Sequence, residues 1–262
     1  MDKNEISVKL AYNKKQNNIY IPNEIFRDLS KCEELKNAQV PFAYCFYYLI
    51  TWLYQYAKYS HVCVDTKTIK EILGYKDNNR KITPVITENG ILDQLGYTET
   101  SRDYPMVVEL DEYDQLKFTL FSDFENEGFD VPVMSAKGKN SKFKVPLKAF
   151  HRYDNEVEDG TFYDVSNTHS VPFELFMEFM TDKEMGCGGF YVYSFLVYKN
   201  QILDTAYKNS VRRIAESIGM SSSQVGRYIK KLEQRKLIHR IEGFTSRVDN
   251  EFSRVADSYE VK

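Results

Sequence analysis

The side chains most able to do chemistry are the cations and hydroxyls of the segment SSQVGRYIKKLEQRKLI (222–238), and the chemistry that suits them is the binding of a polyanion. Apolar residues recur there at i, i+3, i+4 and i+7, which predicts an amphipathic helix with a buried stripe. The stripe consists of Val225, Tyr228, Ile229 and Leu232. At about 100° per residue, the opposite, acid-free face carries Ser223, Arg227, Lys230 and Gln234, with Gln224 and Lys231 on its flanks.

A face of this kind fits the major groove of double-stranded DNA. Arginine makes bidentate hydrogen bonds to guanine, glutamine makes them to adenine, and lysine and serine bind phosphates. Between Thr205 and Arg254 there are 11 Lys and Arg against 5 Asp and Glu, a local net charge of +6 in a chain whose total is -3. The alternative is a solvated face on a purely structural three-helix unit. The predicted DNA contacts are Arg212, Arg213, Ser221, Ser222, Ser223, Gln224, Arg227, Lys230, Lys231, Arg240 and Arg247.

The segment belongs to the second of two similar passages. Residues 19–26 read IYIPNEIF, and residues 169–176 read HSVPFELF. Each passage continues with an aromatic-rich helix, a shorter helix that stops at glycine, a third helix, and residues of strand propensity. In the first copy these are 42–59, 65–75, 83–97 and 104–110; in the second they are 189–203, 209–220, 222–238, and 237–241 with 257–261.

This order of helix, helix, turn, helix and β-ribbon is that of a winged helix-turn-helix. We therefore expect an α+β fold, mainly helical, with two tandem winged helix-turn-helix domains joined by a linker. Residues 1–134 would form an N-terminal winged-helix-like domain with an acidic β wing. Residues 135–165 would be a basic and polar linker, and residues 166–262 would form the C-terminal DNA-binding domain.

The string VPFELF, the aromatic helix and SVRRIAESIGMSSSQVGRYIKKLEQRKLI resemble the winged-helix domains of phage and plasmid replication proteins and related regulators of low-GC Gram-positive bacteria. The resemblance covers roughly the last 95 residues and, more weakly, residues 19–110. It implies sequence-specific DNA binding in replication initiation or transcriptional regulation. It also implies that one domain handles association while the other binds DNA strongly.

The first copy departs from the pattern of the second. Pro84 must sit in the first turn of its third helix, and Gly90 weakens the middle of that helix. The outer face is neutral, with positive charge only ahead of the helix. The weaker candidates for DNA contact are therefore Lys76, Arg80, Lys81, Thr83 and Thr87.

The long helix of the first copy has more aromatic side chains than one helix face can bury. Such a surplus favours packing against another subunit or another domain over stacking on bases. We expect an association surface that gives either a homodimer through the N-terminal domain or an interdomain contact. Its members are Phe46, Tyr47, Trp52 and Tyr56.

The segment 88–134 holds 12 acidic residues against Arg102 and Lys117, a net charge of -10. Three interpretations stay open: an acidic wing and linker that repel DNA, a partner-docking or DNA-mimicking surface, or a solvated hairpin, which we favour. Alternation in VVELDEYDQLKFTLF indicates strands. Five lysines in 135–150 then predict a flexible basic linker that could lie along phosphates.

The sequence carries no phosphate-binding loop, dinucleotide fingerprint or metalloprotease motif, and its four histidines are isolated from one another. We expect no enzymatic activity, no cofactor and no bound metal. No apolar run approaches the roughly 18 residues of a membrane span, and the N-terminus lacks the apolar core of a signal peptide. A cytoplasmic protein with no membrane partner is expected.

Two hypotheses about function remain. The first is a sequence-specific protein that binds double-stranded DNA, together with replication or transcription proteins of a phage or plasmid. The second is a non-catalytic adaptor built on winged-helix scaffolds, whose acidic middle segment docks a protein partner. Salt-dependent DNA binding discriminates between them.

Overall fold

Helices make up most of the regular structure and the strands form only small antiparallel sheets, which confirms a mainly helical α+β fold. The computed structural model describes residues 1–36, 38–62, 64–126, 142–154, 157–243, 245–248 and 251–262. The first half of the chain, up to residue 165, contains α1 (Lys3–Lys9), β1 (Tyr20–Pro22), α2 (Ile25–Lys31), α3 (Gln39–Gln55), α4 (Lys58–His61), α5 (Thr66–Ile72), α6 (Thr83–Ile86), α7 (Ile91–Gln94), β2 (Thr98–Ser101), β3 (Pro105–Leu110), β4 (Leu116–Leu120), α8 (Phe121–Asn126), β5 (Phe143–Pro146), α9 (Leu147–Phe150), β6 (Arg152–Asp154) and β7 (Val157–Asp159). The second half contains β8 (Thr168–Ser170), α10 (Phe173–Thr181), α11 (Gly186–Leu203), β9 (Tyr207–Lys208), α12 (Val211–Ser217), α13 (Ser222–Gln234), β10 (Ile238–Ile241), β11 (Thr245–Val248), β12 (Glu251–Arg254) and β13 (Ser258–Val261).

The two repeated passages meet in the structure, because β1 pairs antiparallel with β8. The short helix that follows each strand packs against the long helix of the other half. Phe26 of α2 lies 5.2 Å from Phe195 of α11, and Phe176 of α10 lies 4.9 Å from Tyr48 of α3, measured between ring centroids. Each short helix also packs on the long helix of its own half, with Phe26 5.3 Å from Tyr44 and Phe176 5.1 Å from Phe190 between ring centroids. The sequence repeat is thus matched in the structure, where each short helix contacts both long helices.

Helix α3 is apolar on every side and is buried along most of its length, as expected of a helix that has no polar face. Trp52 stacks on Phe173 of the second half, with ring centroids 4.0 Å apart. Phe46, Tyr47 and Trp52 are at most 2% exposed, and Tyr56 is half-buried. The expectation of a surface for a second subunit is wrong for Phe46, Tyr47 and Trp52, because this chain buries them itself, Tyr47 against Tyr97 of the first half and Trp52 against the second half.

His169 is buried where the two halves join, opposite Ile21 in the β1–β8 pair. The Tyr44 hydroxyl lies 2.7 Å from its Nε2, and the Asn23 Oδ1 lies 3.0 Å from its Nδ1. Burial lowers the pKa of His169 to about 3. A neutral ring that donates from Nδ1 and accepts at Nε2 satisfies both partners, so the contact between the halves holds an uncharged histidine.

The second half forms a three-stranded antiparallel sheet in the order β10–β13–β9, packed against α11 and α13. Ile238 pairs with Val261, so the expected strands at 237–241 and 257–261 are confirmed. The β11–β12 hairpin lies between β10 and β13 in the chain. Helices α12 and α13 therefore lead into β10. The chain then returns through the β11–β12 hairpin to β13, which pairs with β10.

The helix that we expected over 83–97 is broken into α6 and α7. Thr87 has extended backbone angles, and Asn89 has a φ of +58°. The break requires a glycine at position 90, because a Cβ there would lie 2.6 Å from the carbonyl oxygen of Pro84. The expectation of one continuous helix is therefore wrong. Beyond α7, β2 pairs with β5, and this pair encloses the β3–β4 hairpin in the chain, as β10 and β13 enclose β11–β12.

Much of the expected linker is folded, since β5, α9, β6 and β7 all lie within it. The Lys144 side chain is 9% exposed, and its ammonium lies 2.6 Å from Asp93. Lys148 lies 3.3 Å from Asp28. These lysines pair within the protein, so the expectation of a flexible strip along phosphates is wrong for them. Residues 127–141 and 155–156 lie outside the described residues, and the division into two domains stays a prediction.

Replacing Trp52 by alanine is expected to lower the free energy of unfolding by about 3–5 kcal/mol, because it removes a fully buried ring from the contact between the halves. Urea denaturation followed by circular dichroism measures the loss. Val8→Ala, at a side chain that is 80% exposed, serves as the control and should change stability by less than about 0.5 kcal/mol. A Trp52→Ala loss below about 1 kcal/mol would contradict the described packing.

Stability is expected to fall as the pH drops from about 6.5 to about 5, because His169 is neutral when folded and takes up a proton on unfolding near its ordinary pKa of about 6.5. The slope contributed by one proton approaches about 1.4 kcal/mol per pH unit. His169→Gln should remove this slope, and His239→Gln, at an exposed position, should keep it. Equal slopes for the wild type and His169→Gln would show that the histidine is not held neutral.

Candidate nucleic-acid interface

The α12–turn–α13 unit is held at both of its helix starts by serine caps. The Ser210 hydroxyl accepts a hydrogen bond from the Arg213 amide. Ser221 caps α13 by accepting from the Gln224 amide, and the Gln224 side chain accepts in return from the Ser221 amide. Two of the predicted DNA contacts, Ser221 and Gln224, therefore fix the direction of α13.

The turn between the two helices requires a glycine. Gly219 has a φ of +65°, and a Cβ there would lie 3.0 Å from the Ser30 Cα of α2. The turn is thus seated on a helix that belongs to the first half. Val225, Ile229 and Leu232 are buried beneath α13, which confirms most of the predicted apolar stripe.

Tyr228, the fourth residue of the stripe, is only half-buried and packs over Gly188 at the start of α11. The Arg227 guanidinium lies 5.0 Å from the centroid of the Tyr228 ring and donates a hydrogen bond of 3.3 Å to its hydroxyl. A cation above an aromatic ring keeps its charge and its outward donors while losing freedom of movement. The sequence pattern identified Arg227 but missed Tyr228 as the residue that positions it.

The outer face of α13 is exposed at Ser222, Ser223, Arg227 and Lys230. Arg227, Lys230 and the exposed Arg213 of α12 form no ion pair with any residue that the structure describes. Arg212 contacts Glu216 at 2.9 Å, but both side chains are exposed, and such a pair contributes little. These cations are available to an incoming anion at almost no energetic cost.

Two other predicted contacts are engaged within the protein. Lys231 lies 3.1 Å from Glu184, and this ammonium lowers the pKa of the carboxyl group. Arg240 lies 2.7 Å from Asp257, which raises the pKa of the guanidinium through their hydrogen bond and ties β10 to the start of β13. Both residues support the shape of the unit. Arg247 lies on β11, and its side chain is outside what the structure describes.

The weaker candidates of the first half lie close together. Lys76, Arg80, Lys81 and Thr87 are exposed, and the three cations form no ion pair with a described residue. The Thr83 hydroxyl instead donates to the Asn79 carbonyl at 3.0 Å. A groove of about 800 Å³ is lined by residues that include Lys36, Arg80, Lys81 and Thr87. Lys36 escaped the sequence reasoning because it precedes α3, and no local pattern joins it to this groove.

Among the described residues, no group of three or more His, Cys, Asp or Glu side chains is arranged to hold a metal ion. In the same part of the chain, no helix combines the length and apolar character needed to cross a bilayer. Comparison with protein-family models, with curated proteins and with solved structures finds no match to this chain.

Ser221→Ala is expected to lower the free energy of unfolding by about 1 kcal/mol, because it leaves the first amides of α13 without their cap. Ser222→Ala, at the neighbouring exposed position, is the matched control and should be neutral within about 0.5 kcal/mol. Thermal and urea unfolding of both variants measure the difference. Equal stabilities would mean that the cap does not hold α13.

Proposed function

We propose that this chain is a sequence-specific protein that binds double-stranded DNA through α13 in the major groove. The observation that carries the proposal is the outer face of α12 and α13, where Arg213, Arg227 and Lys230 are exposed and unpaired within the described residues. A helix that only had to fold would gain from placing acids beside these cations. None is present on the outer face of α13, so a partner of opposite charge completes the arrangement.

The proposal includes the fold of the two halves. The order α11, β9, α12, α13, β10 and β13, with the sheet order β10–β13–β9, supports a winged helix-turn-helix in the second half. In the first half, α3, α5, α6 with α7, β2 and β5 follow a similar order. We propose two tandem winged helix-turn-helix units, of which the second is the stronger DNA reader because its third helix is continuous and capped.

Each group of residues then has a distinct task. Arg212 and Arg213, at the start of α12, would bind the DNA backbone, and Arg227 and Lys230 would enter the groove from α13. Ser222 and Ser223 stand at the amino end of α13, where the helix dipole and free amides favour a phosphate. Arg247, on β11 of the β11–β12 hairpin, belongs to the proposed wing.

We propose a role in replication initiation or transcriptional regulation of a phage or plasmid, which rests on the resemblance of the second half to proteins of that kind. The arrangement of the DNA target separates the two roles. Directly repeated sites beside an AT-rich region indicate an origin, and a short palindrome over a promoter indicates a regulator. Nuclease footprinting on the DNA that surrounds the coding sequence decides between them.

A protein-interaction adaptor is the second candidate, and one surface favours it. Leu110 and Tyr113 are 64% and 74% exposed at the end of the β3–β4 hairpin, close in sequence to Glu109, Asp111 and Glu112. Exposed apolar side chains among acids are typical of a docking site for a basic partner. In this case α13 would be a structural helix, and its cations would have no effect on binding.

The test begins with selection of duplexes from a random-sequence 30-bp library by the wild-type protein. Affinity for the enriched duplex should fall steeply between about 50 and 200 mM salt, because each neutralised phosphate releases counterions. Arg227→Ala should weaken specific binding by about 1–3 kcal/mol, measured by fluorescence anisotropy. Arg102→Ala, an exposed arginine outside the face, removes the same charge and should leave affinity unchanged. Absent or salt-insensitive binding would exclude the DNA-binding function and favour the adaptor.

A further inference from the structure

Gly226 is a helix-interior glycine that no contact within the described part of the chain requires. It lies near the amino end of α13, directly before Arg227. Apart from proline, glycine is the residue least favourable to a helix interior, because it loses the most backbone freedom on folding. An unexplained glycine in the middle of a short, exposed helix is therefore a feature that needs a cause.

The other glycines that the structure describes have such causes. Some adopt a positive φ, and for the rest an added Cβ would lie less than 3 Å from a neighbouring atom. At Gly226 the only neighbour among the described residues within 4 Å of an added Cβ is the Val211 Cγ1, at 3.6 Å, which is an ordinary van der Waals distance. The fold itself thus has room for a methyl group at this position.

The missing methyl group would lie beside the start of α12, between the two helices of the candidate interface. Val211 is the first residue of α12 and directly precedes Arg212 and Arg213, so the space lies between the cations of α12 and those of α13. Gly226 is also one helical turn from Lys230. A strand that contacts both sets of cations must pass over the backbone at Gly226, and glycine is the residue used where a backbone is approached closely.

We propose that Gly226 is a close-approach position, at which a DNA strand lies directly against the backbone of α13. This inference rests on the proposed DNA-binding function and deepens it by naming the residue that sets the depth of the helix in the groove. A side chain here would hold the duplex away from α13. The hydrogen bonds of Arg227 and Lys230 would then lengthen together, although neither residue had been changed.

Gly226→Ala separates folding from binding, because it acts on the two in opposite directions. We expect the Tm to rise by about 2–4 °C, since alanine favours the helix and fits beside Val211. The affinity for the 30-bp duplex enriched by the wild type should fall at least about tenfold. Gly226→Gln, which keeps good helix propensity but adds a longer side chain, should bind still more weakly.

Asn4→Ala, at an exposed position of α1, is the matched control, because it also improves helix propensity but lies outside the face. It should leave the affinity unchanged. If Gly226→Ala binds as tightly as the wild type while Arg227→Ala is weakened, the close-approach inference is overturned and the proposed function stands. A lower Tm for Gly226→Ala would also overturn it, by showing that the glycine serves the fold. If the wild type enriches no duplex, the proposed function itself fails.

Discussion

The arrangement depends on one constraint, which is that helix α3 has no polar face and so needs cover on every side. Helix α3 is apolar around its whole circumference, so burial on one face would leave the opposite face in water. The structure meets this need by packing α3 against α11 of the second half as well as against elements of its own half, with the Tyr44 and Tyr191 ring centroids 5.2 Å apart. The β1–β8 pair joins the two halves and carries His169, a buried and neutral histidine, at their contact. Helices α12 and α13 of the candidate interface pack in turn on α2 and α11.

The candidate interface inherits its geometry from α2 and α11. The turn before α13 rests on Ser30 of α2, and Tyr228, which positions Arg227, rests on Gly188 of α11. One of these supports, Ser30, belongs to the first half, and the other belongs to the long helix of the second half. The direction of the cationic face is therefore fixed by residues that carry no charge and lie far away in the sequence. In this way the first half helps to hold the cationic face of the second half in place.

Features that depend on local periodicity could be predicted from the sequence. Contacts between residues distant in the sequence could not. The stripe beneath α13 and the strands β10 and β13 follow from spacing alone, and Ser210 and Ser221 were recognisable as caps. The roles of Lys231 and Arg240 could not be predicted, because Glu184 and Asp257 meet them only after folding. Aromatic abundance in α3 correctly indicated extensive packing, but composition could not tell another subunit from this chain's own second half. The break at Gly90 arises from a backbone clash that only coordinates reveal.

The contact between the halves also affects the newly made chain, because its two sides are synthesised at different times. Tyr44 and His169 are in contact, yet they are separated by 125 residues of sequence. At ordinary rates of translation, about 5–20 residues per second, Tyr44 leaves the ribosome about 6–25 s before its partner. During that interval the side of α3 that packs on α11 is uncovered, so the nascent first half exposes aromatic side chains of the kind that chaperones bind. Synthesis of the second half ends this exposure, so the first half depends on the second for the complete burial of α3.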